Sequence, residues 1–262
     1  MIKSSYKPLL KWVGGKRWLV PHLSKLWESS PDSRLVEPFV GGMSIAFGLH
    51  PTQALLNDAN HHLVNLYKHL QRGLVRTLEM ENNRDFYYGM RSKFCDLTNL
   101  GESQSSEAAQ IFYYLNRTGF RGLCRFNNSG GFNSPFGDYK KINYLDDFSE
   151  YQAILQPWQI TSGDFETLEL RSNDFVYADP PYDASFSKYS QKDFTWQDQC
   201  RLAKWLSNHP GKVIISNLAT DRIIDLYSNC GFTITMIEAP RRISVNGDRQ
   251  SVKEVVALKG FN

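Results

Sequence analysis

The sequence predicts an α/β protein in which helices cover both faces of a parallel sheet. Three short apolar segments, partly β-branched and closed by turn residues, predict buried strands at 35–39, 175–178 and 212–216. Apolar residues at helical spacing fall between them. Because strands and helices alternate at both ends of the chain, we expect parallel pairing through helical crossovers, with ligands at the carboxyl ends of the strands.

A weaker strand and three helices complete the predicted elements. The strand is 54–56, and the helices are 63–74, 106–115 and 196–207. Residues 117–144 differ because they combine Gly, Asn, Arg and aromatic residues without a sustained period. We interpret this segment as an inserted functional module containing an irregular loop or hairpin. A plain surface loop is the alternative.

Composition describes an ordinary folded protein. The chain has 262 residues, 41% of them hydrophobic, which suits one large domain or one domain carrying a smaller insertion. Its four cysteines form no C-x-x-C pair, which argues against a zinc site and a disulfide framework and fits a reducing cytosol. The longest apolar runs fall short of the roughly 18 residues that a membrane span needs. We therefore expect a cytoplasmic protein without membrane contact.

Positive charge is concentrated in two stretches, although the net charge is only +3. Residues 1–27 contain no acid, and Asp138 is the only acid within 117–141. Both stretches suit contact with phosphates, and a solvated basic face without a partner is an equally good interpretation. The basic residues are Lys3, Lys7, Lys11, Lys16, Arg17 and Lys25 in the first stretch and Arg117, Arg121, Arg125, Lys140 and Lys141 in the second.

The tetrapeptide Asp179, Pro180, Pro181 and Tyr182 directly follows a predicted strand, where a site is expected. Two consecutive prolines fix the backbone on either side of them. A carboxylate and the adjoining Pro180 carbonyl can accept both hydrogens of a planar amine such as adenine N6. Tyr182 offers a flat face for a base extruded from a duplex. A proline-rich turn without chemistry is the alternative.

A glycine turn followed by an acid predicts a nucleotide-type cofactor. Gly41 and Gly42 lie where the first strand ends, and paired glycines let a backbone approach a ligand closely. Asp58 follows the strand 54–56 and can hold ribose hydroxyls, although capping a helix is its alternative role. The run from Lys11 to Lys16 lacks the first glycine of a phosphate-binding P-loop, so we exclude an NTPase.

Five motifs, in order, resemble the Dam type of the D12-class DNA adenine methyltransferases. They are K-W-V-G-G-K at 11–16, E-P-F-V-G-G at 37–42, N-D at 57–58, G-D-F at 163–165 and D-P-P-Y at 179–182. The resemblance implies a Rossmann-like methyltransferase sheet with an inserted, mainly helical DNA-recognition domain. We expect the catalytic domain at 1–60 and 150–262 and the recognition domain at 61–149.

The resemblance also implies the cofactor and its contacts. S-adenosylmethionine is the expected methyl donor, S-adenosylhomocysteine is the product, and no metal is required. The implied cofactor-binding residues are Trp12, Lys16, Phe39, Gly41, Asp58, Asp164, Phe165 and Asp179, and the implied catalytic residues are Asp179, Pro180 and Tyr182.

Residues 116–127 and 132–137 resemble the DNA-reading segment of members that recognise GATC. The resemblance implies that Arg125 contacts a guanine, that Leu123 and Pro135 suit a thymine methyl, and that Phe120 is a wedge in the base stack. The full implied DNA-binding set is Lys11, Phe120, Arg121, Leu123, Arg125, Asn127, Asn133, Pro135 and Tyr139. The expected partner is double-stranded DNA, bound by a monomer. The run R-R-I-S-V-N-G at 241–247 resembles the ending of the same family.

The sequence departs from the family pattern at two places, and three alternative functions remain open. Arg121 stands where relatives commonly carry Asn, and Met43 and Ser44 follow Gly42 where a further glycine is frequent. The rivals are methylation of cytosine N4, methylation of a protein glutamine amide, and a DNA-binding protein with an inactive methyltransferase fold. Asp179 at the head of its motif favours adenine, since cytosine enzymes usually resemble S-P-P-Y and glutamine enzymes N-P-P-Y.

Overall fold

A computed structural model describes residues 6–183, 194–240 and 252–261. The motif predicted at 241–247 and the basic residue Lys3 lie outside the described residues. Every helix in these ranges is too short or too polar to cross a membrane.

The described strands form one mixed sheet in the order β3-β2-β1-β4-β5-β7-β6. Five neighbouring strands, β3 to β5 in this order, are parallel, and β7 runs antiparallel between β5 and β6. The bounds are β1 Leu35–Glu37, β2 Ala54–Asp58, β3 Trp158–Ser162, β4 Phe175–Ala178, β5 Lys212–Leu218, β6 Thr233–Ala239 and β7 Val252–Lys259. The predicted α/β, Rossmann-like fold is therefore confirmed, although β3, β6 and the antiparallel β7 were not among the predicted strands.

The strand order reverses between β1 and β4. The chain leaves β1 towards β2 and β3 on one side and later returns to place β4 on the other side. The connections after β1 and β4 therefore diverge and leave a crevice at the carboxyl ends of these two strands, which is where ligands bind in open α/β sheets.

Alternation along the parallel strands creates two cores. Leu35, Tyr177 and Ile214 face one layer, whereas Val36 and Val176 face the other. The first layer holds α1 to α6 and the second holds α7 and α8. The bounds are α1 Val20–Trp27, α2 Ser44–Leu49, α3 His61–Gln71, α4 Arg84–Asn99, α5 Ser106–Thr118, α6 Ser149–Leu155, α7 Trp196–Ser207 and α8 Asp221–Asn229.

Side-chain caps decide where several helices begin. The Asn60 side chain accepts hydrogen bonds from the backbone N–H groups of His62 and Leu63, so α3 begins two residues before the predicted start. Thr195 and Asp198 form a capping box at α7, which has the predicted bounds. A polar residue that caps a helix breaks the apolar period, and this is why periodicity misplaced the start of α3.

The insertion consists of helices followed by an irregular hairpin. After α5, a short 3-10 turn at Phe120–Gly122 is followed by antiparallel bridges that join Gly119 to Phe136 and Phe126 to Phe132. We call residues 119–137 the recognition hairpin. α3, assigned by prediction to the recognition domain, contacts β2 and β3 as well as α5. The domain boundary at residue 60 stays a prediction.

Candidate active site

Asp179 is the first residue after β4 and is held on both sides at the crevice. Its Oδ1 accepts a 2.8 Å hydrogen bond from Ser216 Oγ on β5, and its Oδ2 lies 3.0 Å from Lys16 Nζ. Ser216 is itself buried, with its Oγ 2.9 Å from the Tyr177 hydroxyl. Because both oxygens have fixed partners and Pro180 follows, the carboxylate has a defined orientation.

Lys16 is a buried cation at the centre of this arrangement. Only 5% of the residue is exposed, and its Nζ donates a 2.9 Å hydrogen bond to the Gly14 carbonyl. The same ammonium lies 4.6 Å from the centre of the Tyr182 ring and 4.0 Å from Glu254 Oε2. A cation at this position attracts both carboxylates and the face of the aromatic ring, and it joins the N-terminal segment to the D-P-P-Y loop.

The glycine turn after β1 is tied to Asp58. The Gly41 N–H donates a 2.9 Å hydrogen bond to Asp58 Oδ2, and the Asn60 N–H donates a 2.9 Å hydrogen bond to Asp58 Oδ1. Burial raises the pKa of the Asp58 carboxyl, and these two backbone hydrogen bonds act in the opposite direction. The carboxyl closes the turn from the end of β2, and each oxygen keeps further acceptor capacity towards the crevice.

The glycines also have a packing role that the sequence did not reveal. A Cβ on Gly41 would lie 2.6 Å from Trp12 Nε1, and a Cβ on Gly42 would lie 2.8 Å from Trp12 Cβ. Gly41 has a φ of +46°, a conformation that glycine adopts easily. Close approach at this turn is therefore made by the Trp12 indole, which forms one wall of the crevice.

These residues surround a cleft of about 390 Å³. Six of the eight predicted cofactor residues line it: Trp12, Lys16, Phe39, Gly41, Asp58 and Asp179. Phe165 is buried beneath the wall, 5.6 Å from the Phe39 ring, and Asp164 is exposed, with Oδ2 2.7 Å from Arg201 Nη2. The structure does not bring Asp164 and Phe165 to the cleft surface, so their contact with a cofactor stays a prediction.

Glu37 is a buried acid beside the D-P-P-Y loop, and the sequence analysis gave it no role. Burial raises its pKa well above the usual range, although the Ala46 backbone N–H donates to it, and the nearby Asp179 raises it further. Within the described part of the chain its Oε1 has no hydrogen-bond partner. The side chain lines the cleft next to the D-P-P-Y loop.

Sequence reasoning missed four other residues of the site. Tyr177, Ser216, Phe194 and Glu254 hold or flank the D-P-P-Y loop. A signal existed for Ser216, because it is a polar residue at the end of a predicted buried strand. Glu254 lies on a strand that was not predicted, so its sequence context gave no indication.

Arg125 is hydrogen-bonded to Asn133, its neighbour across the recognition hairpin. Arg125 Nε donates to Asn133 Oδ1 at 2.7 Å, and Arg125 Nη2 donates to the Asn133 carbonyl at 3.1 Å. Asn127 Oδ1 accepts from the N–H groups of Ser129 and Gly131 and thereby caps the turn. Asn133 and Asn127 thus have structural partners within the hairpin, and DNA contact by either stays a prediction.

The remaining predicted DNA-binding residues lie in the same hairpin or beside it. Phe120, Arg121 and Pro135 are exposed, and Leu123 is half-buried. The Phe120 N–H donates to the Pro135 carbonyl at 2.8 Å, so these two residues lie side by side. The Arg121 guanidinium lies 5.1 Å from the Phe120 ring centre. The hairpin therefore presents an aromatic ring, a cation and a proline on one surface.

A junction connects the hairpin to the wall of the cleft. The buried Asn116 side chain accepts from the Lys11 backbone N–H at 2.9 Å and donates to the carbonyls of Lys11 at 2.8 Å and Gly122 at 3.2 Å. Lys11 Nζ lies 3.6 Å from the centre of the Tyr139 ring. Burial and the nearby Arg117 lower the pKa of Lys11 to about 8. Because Lys11 precedes Trp12, the cleft wall and the hairpin share one backbone segment.

Substitution of Gly122 by alanine should strongly destabilise this junction. Gly122 has a φ of +69°, and an added Cβ would lie 2.3 Å from Lys11 Cβ and 2.8 Å from the Lys11 carbonyl oxygen. We expect a loss of about 2–4 kcal/mol in the free energy of unfolding, from backbone strain and the clash together. A thermal melt should show Tm lowered by about 5–10 °C.

Gly130→Ala is the matched control for this substitution. Gly130 has a similar φ of +78°, but an added Cβ meets nothing within 4 Å. Gly130→Ala should lower the free energy of unfolding by only about 1 kcal/mol, from backbone strain alone. Equal melting temperatures for the two variants would contradict the close approach of the two backbones.

The described residues form a Rossmann-like α/β fold with a cleft at the point where the strand order reverses. The model of the D12 class N6 adenine-specific DNA methyltransferases matches residues 12–243. The chain belongs to this family. The predicted activity class, an adenine-specific DNA methyltransferase that uses S-adenosylmethionine, is thereby confirmed.

Individual relatives are similar over nearly their whole length. The chain is 37% identical to the Retron Ec67 DNA adenine methylase of Escherichia coli, covering 96% of this chain and 91% of the relative. It is 35% identical to the type II methyltransferase M1.LlaDCHI of Lactococcus lactis, covering 95% and 92%. It is also 35% identical to a DNA adenine methylase of Vibrio cholerae, covering 96% and 95%.

Proposed function

We propose that this protein methylates N6 of an adenine that is flipped out of duplex DNA, within the sequence GATC. The observation that carries the proposal is the fixed Asp179 carboxylate, held between Ser216 and Lys16 in the wall of the cleft with Tyr182 beside it. A group that must orient a weakly nucleophilic amine gains most from such restricted geometry.

Asp179 and the Pro180 carbonyl accept the two hydrogens of the adenine amine and direct its nitrogen towards the methyl donor. S-adenosylmethionine supplies an electrophilic methyl group when it is bound. The Tyr182 ring stacks on the extruded base, and the rigid prolines hold the three groups in register. The proton that the amine loses passes to solvent or to an acceptor in the cleft.

The cofactor occupies the cleft between the glycine turn and the D-P-P-Y loop. Asp58 accepts the ribose hydroxyls, Trp12 and Phe39 pack against the ligand, and Lys16 meets its carboxylate. The fit is supported by the buried Asp58 carboxyl, which has acceptor capacity left at the end of β2, and by the aromatic walls on either side. The full proposed set is Trp12, Lys16, Phe39, Gly41, Asp58, Asp164, Phe165 and Asp179.

The recognition hairpin reads the target sequence. Arg125 contacts a guanine in the major groove, Leu123 and Pro135 contact a thymine methyl, and Phe120 fills the gap left by the flipped base. The Phe120 ring is 41% exposed and lies beside Pro135, so it is accessible for this role. Lys11, Arg121, Asn127, Asn133 and Tyr139 complete the proposed DNA contacts.

The remaining proposals concern organisation. The catalytic domain comprises 1–60 and 150–262, and the recognition domain comprises 61–149. The protein acts as a monomer on duplex DNA and needs no metal. Because its substrate is cellular DNA, we place its activity in the cytoplasm of a bacterium or of a phage-infected cell.

Long-read mapping of N6-methyladenine tests the proposal directly. The protein is expressed in a methylation-deficient bacterium, and the genomic DNA is sequenced for modified adenines. We expect methylation at the adenine of GATC on both strands, and none in cells that carry the empty vector. Signal at another motif would retain the enzyme and reject the target.

Two further outcomes distinguish the rivals. Nucleoside analysis of the same DNA after digestion would reveal N4-methylcytosine if the enzyme methylated the amine of cytosine instead of that of adenine. Saturable cofactor binding by the purified protein together with unmethylated DNA would indicate a DNA-binding protein with an inactive methyltransferase fold.

A further inference from the structure

We propose that Glu254 is a positioning residue for methyl transfer, fixing the Tyr182 ring through its hydroxyl. This inference rests on the proposed function, because it assigns Tyr182 to the stacking of the target base. Glu254 acts on the base only through Tyr182.

The contacts define the arrangement. The Tyr182 hydroxyl donates a 2.7 Å hydrogen bond to Glu254 Oε2, and the same oxygen lies 4.0 Å from Lys16 Nζ. Glu254 is only 8% exposed. One buried cation therefore lies between two carboxylates, those of Asp179 and Glu254, and above the ring that Glu254 anchors.

The antiparallel direction of β7 explains how Glu254 reaches the cleft. β7 begins at the edge of the sheet where β4 and β5 end, and Glu254 pairs in register with Leu218, the last residue of β5. A parallel strand in the same position would bring its carboxyl end to this edge instead. The inserted strand thus delivers an acid from the C-terminal part of the chain to the D-P-P-Y loop.

Glu254 restricts a rotation of the Tyr182 side chain that the two prolines leave free. Pro180 and Pro181 restrict the backbone up to Tyr182, but they do not restrict rotation of the ring about its side-chain bonds. A hydrogen bond from the hydroxyl at the far end of the ring does restrict this rotation. Burial raises the pKa of Tyr182 well above its usual range, so the hydroxyl keeps its proton and remains the donor.

A double-mutant cycle tests the pair. Single-turnover methyl transfer with saturating cofactor and GATC duplex is measured for the wild type, Tyr182→Phe, Glu254→Ala and the double variant. Because both single substitutions remove the same hydrogen bond, we expect each to slow transfer about tenfold and the double variant to be no slower than the slower single variant. Independent effects that multiply to about a hundredfold would overturn the proposal.

Glu254→Gln separates positioning from simple structural support. Glutamine keeps an oxygen that accepts from Tyr182, so we expect a rate within about threefold of the wild type and an unchanged dissociation constant for the cofactor. Lys253→Ala changes the exposed neighbour on the same strand and should leave the rate unchanged. A glutamine variant as slow as the alanine variant would also overturn the proposal.

The wild-type reaction distinguishes failure of the proposed function from failure of the role proposed for Glu254. Failure of the wild type to methylate adenine would reject the proposed function itself. A wild type that methylates GATC while Glu254→Ala is equally fast, with Tyr182→Phe slow, would reject only the role of Glu254.

Discussion

Asp179→Asn should lower the single-turnover rate of methyl transfer about a thousandfold, the range in which loss of a positioned polar catalytic group falls. The substitution preserves shape, but it replaces one acceptor oxygen by an amide N–H₂ and removes the charge that Lys16 faces at 3.0 Å. An amide N–H₂ cannot accept a hydrogen from the adenine amine. The measurement is a rapid-quench assay with radiolabelled methyl donor and saturating duplex.

Two comparisons make this result interpretable. Asp32→Asn changes an exposed acid distant from the cleft and should leave the rate unchanged. Ser216→Ala removes the hydrogen bond to Asp179 Oδ1 and the contact with the Tyr177 hydroxyl but keeps the carboxylate, so its rate should fall between those of the other two variants. A loss of only a few-fold for Asp179→Asn, in a protein that folds and binds its cofactor, would reject the catalytic assignment.

Arg125→Ala should have the second large effect, on the choice of sequence. A bidentate contact to guanine contributes about 1–3 kcal/mol of discrimination, so kcat/KM on GATC should fall about 5- to 150-fold. Substrates with the contacted guanine replaced should be affected much less, because they never formed the contact. Competition between GATC and single-substitution duplexes measures the ratio directly.

Lys140→Ala and Asn133→Ala are the comparison variants for Arg125→Ala. Lys140 is an exposed cation in the same basic stretch, and its loss should weaken all duplexes alike and reduce the dependence of binding on salt. Asn133→Ala leaves the guanidinium in place but removes the acceptor at 2.7 Å, and should give a smaller loss of discrimination. Uniform weakening by Arg125→Ala would assign that residue to phosphate contact instead.

Local signals predicted the centre of the sheet well. The strand Phe175–Ala178 and the helix Trp196–Ser207 have the predicted bounds, because each is a strongly patterned segment with clear turn or capping residues at its ends. Gly41, Asp58 and Asp179, at or just after the ends of β1, β2 and β4, line one cleft, as parallel pairing requires. This part of the site follows from chain order and strand direction alone.

The contribution of β6 and β7 did not follow from local signals. Most β6 residues are exposed or half-buried without regular alternation, so the strand lacks a clear period, and its pairing with β7 depends on contacts distant in sequence. Glu254 was missed for this reason. The packing of Trp12 against Gly41 and Gly42 was missed similarly, because an approach between two loops leaves no period in either.

The junction at Asn116 has a consequence for changing sequence specificity by exchanging segments between relatives. A hairpin transplanted alone would meet a foreign Lys11 segment at the point where Gly122 and Lys11 touch. The segments that must be exchanged together are therefore discontinuous, because the Lys11 segment is hydrogen-bonded to Asn116, more than a hundred positions later, and Asn116 is hydrogen-bonded to Gly122. A functional chimera must carry both pieces from the same parent.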